Sequence, residues 1–443
     1  MKSKRINKHL LDVLILCLLI LVFHLTYLYV SEHQTSKYTN IDSYAYLNVY
    51  ETGEYFDNTA LSFSLKNNGL LMTRIFIGYM IIVSILIFYI ICRKFSSHNI
   101  SLLCTSMFSL SPMMLEHLNF TILDKNPFVI FFTLLLLGCI FYRLYFYGFI
   151  SSIFLFWSWQ GSIYIFIVLL IVMSLYFLYK EYYCYTLITY FTIFSGMMLY
   201  YDKLVFITSN FSPEKELINQ TRNIFHIAPK FELLLLILMF IIIFVYFVDD
   251  EIFNYHFKNI SFNNFLLFGC FIISFLGFAY MYRLNFLFVI FLYIMLSLFL
   301  EHYRDLVIPF IIGFIIIMGL SYGSYYPREL YSNNLIEAVN YADSTAELYG
   351  YDCIVSNWGY GHIYQYLSNK TVLYRGHPTD IGGMFDYLVY GNKTDCVLIY
   401  TDEDIKYLMY VSDVMDYNIT DIQILTTPNK SFKSKTNYYV GAR

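Results

Sequence analysis

Three acidic side chains lie in the polar segments between long apolar runs. Asp42 lies in Ile-Asp-Ser-Tyr-Ala-Tyr-Leu, Asp124 directly precedes Lys-Asn-Pro-Phe and an apolar run, and Glu214 lies in the polar segment Ser-Pro-Glu-Lys-Glu. Carboxylates supplied by separate elements are the hard oxygen ligands that bind a divalent cation. A cation held in this way favours a reaction that expels a phosphate leaving group, because the ion neutralises the developing charge.

Each acid also has an ordinary structural interpretation. Asp42 and Asp124 precede helix-like stretches, where an Asp commonly caps the first turn, and Pro127 fits the first turn after Asp124. Glu214 and the neighbouring Glu216 fit a solvated loop, and either of them could be the loop acid. Both interpretations stay open on the sequence alone.

Arg283 interrupts an apolar region, in Ala-Tyr-Met-Tyr-Arg-Leu-Asn. Ionisable side chains inside apolar segments are costly and tend to be functional. A guanidinium group is also suited to bidentate contact with phosphate. The alternative is a boundary arginine whose charged end reaches the polar edge of the segment.

A second candidate site lies in the polar C-terminal part, over Ser356–Arg375. This stretch gathers Trp358, two glycines, several tyrosines and a histidine after hundreds of mostly apolar residues. A polar domain does not need such a cluster in order to fold. The stretch therefore predicts a binding loop.

The elements that must position these residues are mostly apolar. The chain has 443 residues, of which 58% are hydrophobic and 14% are charged, whereas a soluble domain has about 25% charged residues. This composition predicts a polytopic α-helical membrane protein surrounded by the lipid bilayer. The net charge of −4 is unlike that of a nucleic-acid-binding protein, so no nucleic-acid partner is expected.

Apolar runs that could cross about 30 Å of hydrocarbon predict about eleven spans. They are Leu10–Val30, Leu70–Cys92, Ile100–Leu115, Pro127–Tyr142, Phe146–Trp157, Ile163–Leu178, Tyr183–Leu199, Leu233–Val248, Phe265–Tyr280, Phe286–Leu300 and Leu306–Leu320. Basic residues flank alternate ends of these runs, which places the N-terminus in the cytoplasm of a multi-pass cell-membrane protein. The first run is expected to be a retained helix, because no small-residue cleavage site follows it.

The alternation of the predicted spans across the membrane predicts a transmembrane domain over 1–322 with extracytoplasmic loops over 31–69, 116–126 and 201–231. The C-terminal domain, 323–443, falls on the same extracytoplasmic side. The region Phe146–Leu178 contains two short runs. If it were a single span, the loop that contains Glu214 would move to the cytoplasm.

The C-terminal part alternates helix-like and strand-like patterns. Glu329–Leu348 has apolar residues at helical spacing, Asp352–Val355 and Cys396–Tyr400 are typical of buried strands, and Asp402–Val414 predicts another helix. These patterns predict an extracytoplasmic α/β domain. Cys353 and Cys396 both lie in it, and a disulfide between them is possible in that compartment. The other six cysteines lie in or beside apolar runs, and no Cys/His spacing typical of a metal site occurs.

Taken in order along nearly the whole chain, these features resemble the catalytic subunit of oligosaccharyltransferase, especially its archaeal type. The matching segments are Asp42-Ser-Tyr-Ala-Tyr-Leu47 for its first loop, Asp124-Lys-Asn126 for its Asp-X-Asp/Glu motif, Ser158-Trp-Gln-Gly161 for its Trp-Gly-Gly stretch, Ser212-Pro-Glu214 for its third-loop Glu motif and Arg283 for its phosphate-binding Arg. In the C-terminal part they are Asn357-Trp-Gly-Tyr-Gly361 for its WWDYG motif, Ser368-Asn-Lys-Thr371 for the Asn-Arg-Thr segment after it, and Glu403-Asp-Ile-Lys406 with Met409 for its downstream helix motif.

The resemblance implies a C-type glycosyltransferase fold. It implies inverting transfer of a glycan from a dolichol-type polyprenyl (di)phosphate carrier to the Asn amide of an Asn-X-Ser/Thr acceptor polypeptide. It also implies Mg²⁺ or Mn²⁺ as the cofactor and Arg283 as the ligand of the lipid phosphate. The implied catalytic residues are Asp42, Asp124 and Glu214, the implied metal ligands are these three with Asn126, and the implied acceptor-binding residues are Asn357, Trp358, Gly359, Tyr360, Lys406 and Met409.

This chain departs from the family pattern at three positions. Asn126 stands where a second acid is usual, Asn357 replaces the first Trp of WWDYG, and Gly359 replaces its Asp. In the family that Asp accepts a hydrogen bond from the sequon hydroxyl, and a pocket without this bond discriminates less. Two alternatives therefore stay open: a C-type glycosyltransferase that uses another acceptor, and a catalytically weak paralogue that binds a lipid-linked glycan.

Overall fold

The computed structural model describes residues 60–111, 125–180, 261–280, 285–324, 333–355, 370–373, 396–401, 430–432 and 438–441, with shorter pieces at 14, 114, 117–118, 237, 239–242, 364–365 and 367–368. Within these residues, eight helices form an apolar bundle, and a ninth helix with five strands forms the C-terminal α/β unit. Most of the predicted runs Leu10–Val30 and Leu233–Val248 lies outside the described residues, as do all of Tyr183–Leu199 and the predicted helix Asp402–Val414.

The bundle helices follow the predicted apolar runs closely. They are α1 (Ala60–Phe95), α2 (His98–Leu110), α3 (Asn126–Phe141), α4 (Tyr145–Ser158), α5 (Ile163–Lys180), α6 (Phe262–Tyr280), α7 (Asn285–His302) and α8 (Val307–Ser324). In the described part of the chain, α1 and α7 are long and apolar enough to cross a membrane, and α3 to α6 provide shorter apolar helical segments. The count of about eleven spans stays a prediction.

Helix α1 begins ten residues before the predicted span. Its first nine residues, which the sequence assigns to the loop over 31–69, are helical, and the chain bends at Gly69, where φ is 76°. Glycine adopts this left-handed conformation without the steric cost of a Cβ atom. The hydroxyl groups of Ser64 and Thr73 lie 3.0 Å apart across the bend and link its two sides.

The Phe146–Leu178 region contains two helices. Helix α4 ends at Ser158, a short 3₁₀ turn covers Gln160–Ser162, and α5 begins at Ile163. Helix α4 packs against α3, whereas α5 packs against α6. These different partners are those expected of two separate apolar segments.

Helix α7 lies at the centre of the bundle. All thirteen of its residues from Asn285 to Ser297 are buried, and it packs against α1, α2 and α6. A helix that is apolar on every face is stable only when other apolar groups surround it. Helix α7 therefore anchors the bundle, and its two ends are the places where polar groups collect.

The helix ends with basic residues meet on one side of the bundle. The Nζ atom of Lys94, at the end of α1, lies 5.0 Å from the ring centroid of Tyr142, directly after α3. Glu301, near the end of α7, accepts a 2.7 Å hydrogen bond from the backbone N–H of Ser97 and pairs with Arg304. The first residues of α3 and α7 consequently lie at the opposite end.

The C-terminal unit is a mixed sheet covered by one helix. Helix α9 (Asn333–Tyr349) buries a stripe of small and branched side chains and packs against the sheet. The strands are β1 (Cys353–Val355), β2 (Thr371–Leu373), β3 (Cys396–Thr401), β4 (Lys430–Phe432) and β5 (Tyr438–Gly441). The strand order is β2-β1-β3-β5-β4, with β2, β1 and β3 parallel and β5 antiparallel to both β3 and β4. The predicted helix and both predicted strands are present, whereas β2, β4 and β5 were not predicted.

Candidate functional site

Among the predicted site residues, the structure describes Asn126. The others lie outside the described residues: Asp42, Asp124, Glu214, Arg283, Asn357, Trp358, Gly359, Tyr360, Lys406 and Met409. The structure does describe chain segments that lie next to several of them. These segments form two groups, one at an end of the helical bundle and one at an edge of the sheet.

Asn126 is the first residue of α3, at the end of the bundle away from the basic cluster. Pro127 follows it in the first turn, where a proline costs the helix no hydrogen bond. Phe128 then packs on Phe76 of α1, with ring centroids 5.8 Å apart. The Asp124–Asn126 motif therefore leads directly into a helix that is anchored on α1.

A polar pair lies at the same end of the bundle, where α7 begins. The Nε2 atom of His117 lies 2.7 Å from Oδ1 of Asn285, across 168 residues of sequence. Asn285 is fully buried, and it follows Arg283 by two residues. The hydrogen bond thus links the segment that leads to Asp124 with the segment that leads from Arg283.

Two aromatic contacts surround the residue after Asn285. The ring of Phe286 lies 5.9 Å from the His117 ring and 6.2 Å from the Trp159 ring, both in edge-to-face arrangements. Trp159 belongs to the Ser158–Gly161 stretch, which forms the break between α4 and α5. Three separated stretches of the chain, represented by His117, Trp159 and Asn285, therefore meet around Phe286.

Gly161 is required for the position of Trp159. A Cβ atom at Gly161 would lie 2.1 Å from Cζ2 of the Trp159 indole. No side chain fits there while the indole keeps its contact with Phe286. The glycine of this motif is thus explained by close packing on its own tryptophan.

The second group of segments leaves the sheet at the ends of two paired parallel strands. Ile354 pairs with Val397 and Val355 with Leu398, so β1 and β3 end at the same edge. The segment with Asn357 to Tyr360 follows β1, and the segment with Lys406 and Met409 follows β3. Ligand sites of parallel sheets lie at this edge, beyond the carboxyl ends of the strands.

A disulfide fixes the opposite ends of the same strands. Cys353 and Cys396 are the first residues of β1 and β3, are paired in register, and form a disulfide with their Cα atoms 4.7 Å apart. This bond keeps the two strand ends beside each other. It therefore supports the juxtaposition of the two segments that leave the other edge.

Side-chain contacts fix Ser368 and Val372, and a separate aromatic contact lies near the end of β3. The Ser368 hydroxyl hydrogen-bonds the carboxylate of Asp343 on α9, and the backbone N–H of Val372 donates to Oε1 of Gln365 over 2.8 Å. Tyr400 stacks on Tyr439 with ring centroids 5.3 Å apart. Burial, with a smaller effect of Tyr439, raises the pKa of Tyr400 to about 12, so its phenol is neutral at physiological pH.

A divalent cation would need oxygen donors beyond those in the described part of the chain. Those residues contain no group of three or more His, Cys, Asp or Glu side chains that could hold a metal ion. Asn126 provides a neutral amide oxygen at the N-terminus of α3, and the positive end of a helix dipole disfavours a cation. Asn126 therefore fits a metal site only together with carboxylates, and Asp124 is the nearest of these in sequence.

Sequence reasoning overlooked three polar residues of the bundle. His117, Asn285 and the half-buried Arg74 of α1 all lie in or beside apolar segments. The sequence signal for Asn285 was its place between Arg283 and an unbroken apolar run. For Arg74 it was a charge inside a predicted span, which is rare and costly.

No protein-family model matches this chain, and no curated protein sequence matches it. Its fold is similar to solved structures of the archaeal oligosaccharyltransferase AglB from Archaeoglobus fulgidus. The complex of that enzyme with an inhibitory peptide and a dolichol-phosphate has a TM-score of 0.56 and 12% sequence identity, over 92% of this chain and 71% of the other.

Two further structures of the A. fulgidus enzyme are similar to the same extent. One is tethered through a disulfide to an acceptor peptide with the NVT sequon, with a TM-score of 0.59 and 12% identity over 91% of this chain and 70% of the other. The other is a complex with Zn and sulfate, with a TM-score of 0.55 and 11% identity over 90% and 69%. The likeness shows that this chain shares the fold of the A. fulgidus protein.

Proposed function

We propose that this protein is an oligosaccharyltransferase-like enzyme. It transfers a glycan from a polyprenyl (di)phosphate carrier to the amide of Asn in an Asn-X-Ser/Thr polypeptide. The observation that carries the proposal is the fold likeness to the A. fulgidus enzyme along 92% of this chain. The order of the motifs supports it, because donor motifs border the bundle and acceptor motifs follow the sheet.

The donor side of the proposed site lies at the end of the bundle where α3 and α7 begin. Arg283 binds the phosphate of the carrier, and Asp42, Asp124 and Glu214, with Asn126, hold Mg²⁺ or Mn²⁺. The bound cation would neutralise the charge of the departing phosphate. The complexes of the A. fulgidus protein with dolichol-phosphate and with Zn support a lipid phosphate and a divalent metal as ligands of this fold.

The acceptor amide is a poor nucleophile, because its nitrogen lone pair is conjugated with the carbonyl group. A carboxylate that accepts hydrogen bonds from the NH₂ group weakens this conjugation, and Asp42 has this role in our proposal. The amide nitrogen then bonds to the anomeric carbon as the bond from that carbon to the phosphate oxygen breaks. The amide loses one proton to water, the carrier leaves as its phosphate anion, and the sugar configuration inverts.

The acceptor side is the sheet edge where β1 and β3 end. Trp358 and Tyr360 pack on the acceptor peptide, and Asn357, Gly359, Lys406 and Met409 complete its binding surface. The tethered NVT peptide of the A. fulgidus protein supports a peptide ligand for this fold. The Cys353–Cys396 disulfide supports an extracytoplasmic C-terminal domain, because disulfides persist in oxidising compartments.

Reconstitution tests this function directly. Purified protein with Mn²⁺, a polyprenyl-linked glycan and a sequon peptide should yield glycopeptide, detected by mass spectrometry. Asp42→Ala and Asp124→Ala should each reduce the yield below detection, whereas a distant control, Asp305→Ala, should leave it unchanged. Wild-type yield in both variants would refute the assignment of these acids.

A second acceptor class is favoured by one feature of the sequence. Gly359 stands where the resembling family has an acid, so a hydrogen-bond acceptor for the sequon hydroxyl is missing. If peptides with Asn-X-Ala are glycosylated as fast as peptides with Asn-X-Thr, the Ser356–Gly361 loop does not select the sequon. Transfer to a lipid or to a Ser/Thr hydroxyl in the same assay would then define the alternative function.

A further inference from the structure

Two buried polar atoms at the start of α7 have no hydrogen-bond partner. They are Nδ2 of Asn285 and Nδ1 of His117. A buried donor without an acceptor is costly, because it has lost its hydrogen bonds to water. An unpaired group in such a position needs an explanation, and a ligand that is bound there during function supplies one.

The contacts of Asn285 fix the roles of these atoms. The backbone N–H of Phe286 donates to Oδ1 of Asn285 over 2.6 Å, so this atom is the amide oxygen. Since a carbonyl oxygen only accepts, Nε2 of His117 carries the hydrogen in its 2.7 Å bond to the same atom. Both N–H bonds of Nδ2 therefore remain available, together with Nδ1 of the imidazole.

The surroundings of the pair favour an anion. Asn285 is the first residue of α7, which has 18 residues, so the positive end of the helix dipole lies at this point. Helix N-termini with free N–H donors bind phosphate groups. Arg283 precedes Asn285 by two residues, so their Cα atoms are at most about 7 Å apart, and a cationic donor therefore lies close by in the chain.

We propose that His117 and Asn285 form an oxyanion-binding pair for the phosphoryl group of the lipid carrier. This proposal rests on the proposed function, because that function supplies the phosphate ligand. The Asn285 amide donates to one phosphoryl oxygen. Nδ1 of His117 accepts a hydrogen bond from the P–OH group of a monoprotonated phosphate monoester, such as the released carrier.

Asn285→Asp is the most direct test variant. The carboxylate keeps an oxygen for His117 and for the Phe286 N–H, while it replaces the Nδ2 donors with a second, negatively charged oxygen. Asn264→Asp is the matched control, because it adds the same charge in the first turn of another helix, α6. His117→Gln is the second variant: its amide can still donate to Asn285, but it has no equivalent of Nδ1.

Binding is measured on the full-length protein in detergent, by titration with a short-chain polyprenyl phosphate, with the uncharged polyprenol, and with inorganic phosphate. Wild-type protein should bind the polyprenyl phosphate, and Asn285→Asp should weaken this binding at least about tenfold, the effect of losing a hydrogen bond to a charged group. His117→Gln should weaken it about threefold or more. Asn264→Asp should bind the polyprenyl phosphate as tightly as the wild type does. None of the substitutions should change the binding of the uncharged polyprenol.

The outcomes separate this inference from the proposed function. Wild-type protein that binds no polyprenyl phosphate would refute the donor class of the proposed function, and this pair with it. If the wild type binds the carrier tightly and both Asn285→Asp and His117→Gln bind it within twofold of the wild-type affinity, the oxyanion pair is overturned and the proposed function is not. If inorganic phosphate binds with the same dependence on Asn285 while the lipid does not, the pair is a free-phosphate site and the carrier assignment is wrong. If Asn285→Asp is not folded, as judged by its melting curve, the titration of His117→Gln decides.

Discussion

The helical bundle and the C-terminal sheet unit use opposite arrangements of polar and apolar groups. Helix α7 of the bundle is apolar on every face and buried, whereas α9 of the sheet unit buries one stripe and leaves its other face polar. The other buried polar side chains in the described part of the bundle are serines and threonines, so a buried amide such as that of Asn285 stands apart from them. In the sheet unit polar side chains are ordinary, and position at a strand end matters more than polarity.

We propose that this contrast corresponds to a division of chemical work. The bundle end contains His117, Asn126 and Asn285 in the described part, with Asp124 and Arg283 close to them in sequence, and in our proposal these groups bind charged ligands. The sheet edge provides two segments that follow paired strands. We therefore expect changes in the bundle to affect donor binding and the reaction itself. Changes in the sheet unit should affect the choice of acceptor.

The largest effect should come from removal of the Cys353–Cys396 disulfide. It closes a loop with a sequence separation of 43 residues, for which the chain-entropy relation gives about 4 kcal/mol of stabilisation. The double variant Cys353→Ser/Cys396→Ser should lose that much stability in the C-terminal unit and lose glycopeptide formation. It should still bind polyprenyl phosphate, because the bundle is unchanged.

Differential scanning fluorimetry and the carrier titration measure the two halves of this prediction. The matched control is reductant, which should lower the melting temperature of the wild type but not of the double variant. Equal loss of carrier binding and glycopeptide formation would show that the two regions do not function separately.

A smaller effect is expected at Gly161, inside the bundle. Gly161→Ala should destabilise the protein by about 1–3 kcal/mol, the usual effect of overpacking, because the new methyl group displaces Trp159 from Phe286. Carrier binding should weaken, since Phe286 adjoins Asn285. The control is Gly313→Ala on α8, where an added Cβ meets nothing within 4 Å. Thermal melts that treat both variants alike would contradict the packing role of Gly161.

The smallest effect concerns the acceptor loop. Gly359→Asp restores a carboxylate at the position where the resembling family has one. It should increase the preference for Asn-X-Thr over Asn-X-Ala peptides by about tenfold, the value of one charge-assisted hydrogen bond, without changing carrier affinity. Parallel rates with the two peptides measure it. An unchanged ratio would separate Gly359 from recognition of the sequon hydroxyl.

Much of the fold could be predicted from the chain, because α9 shows helical spacing at Leu335, Ala338, Val339 and Ala342, and the bundle helices follow long apolar runs. Strands β2, β4 and β5 could not be predicted. They are three or four residues long and owe their conformation to partners such as β1 and β3, which the local sequence does not reveal. The helical start of α1 was missed for a related reason, because its polar residues resemble those of a loop.

The candidate site divides in the same way. Charged motifs such as Asp124 and Arg283 stand out from their apolar surroundings, so the sequence alone marks them as candidates, and their roles stay predictions. The pairing of His117 with Asn285 joins residues 168 positions apart, and only the packing of α7 brings them together. Neither residue is charged by type, so neither stood out in the sequence.

One competition assay tests the central claim most directly. Wild-type protein receives a polyprenyl-linked glycan, Mn²⁺ and two peptides in equal amounts, identical except that one carries Asn-X-Thr and the other Gln-X-Thr, with product sites mapped by mass spectrometry. We predict glycan on the Asn side chain of the first peptide and none on the second. Bound carrier without glycopeptide, or glycan on a hydroxyl group of both peptides, would contradict the account.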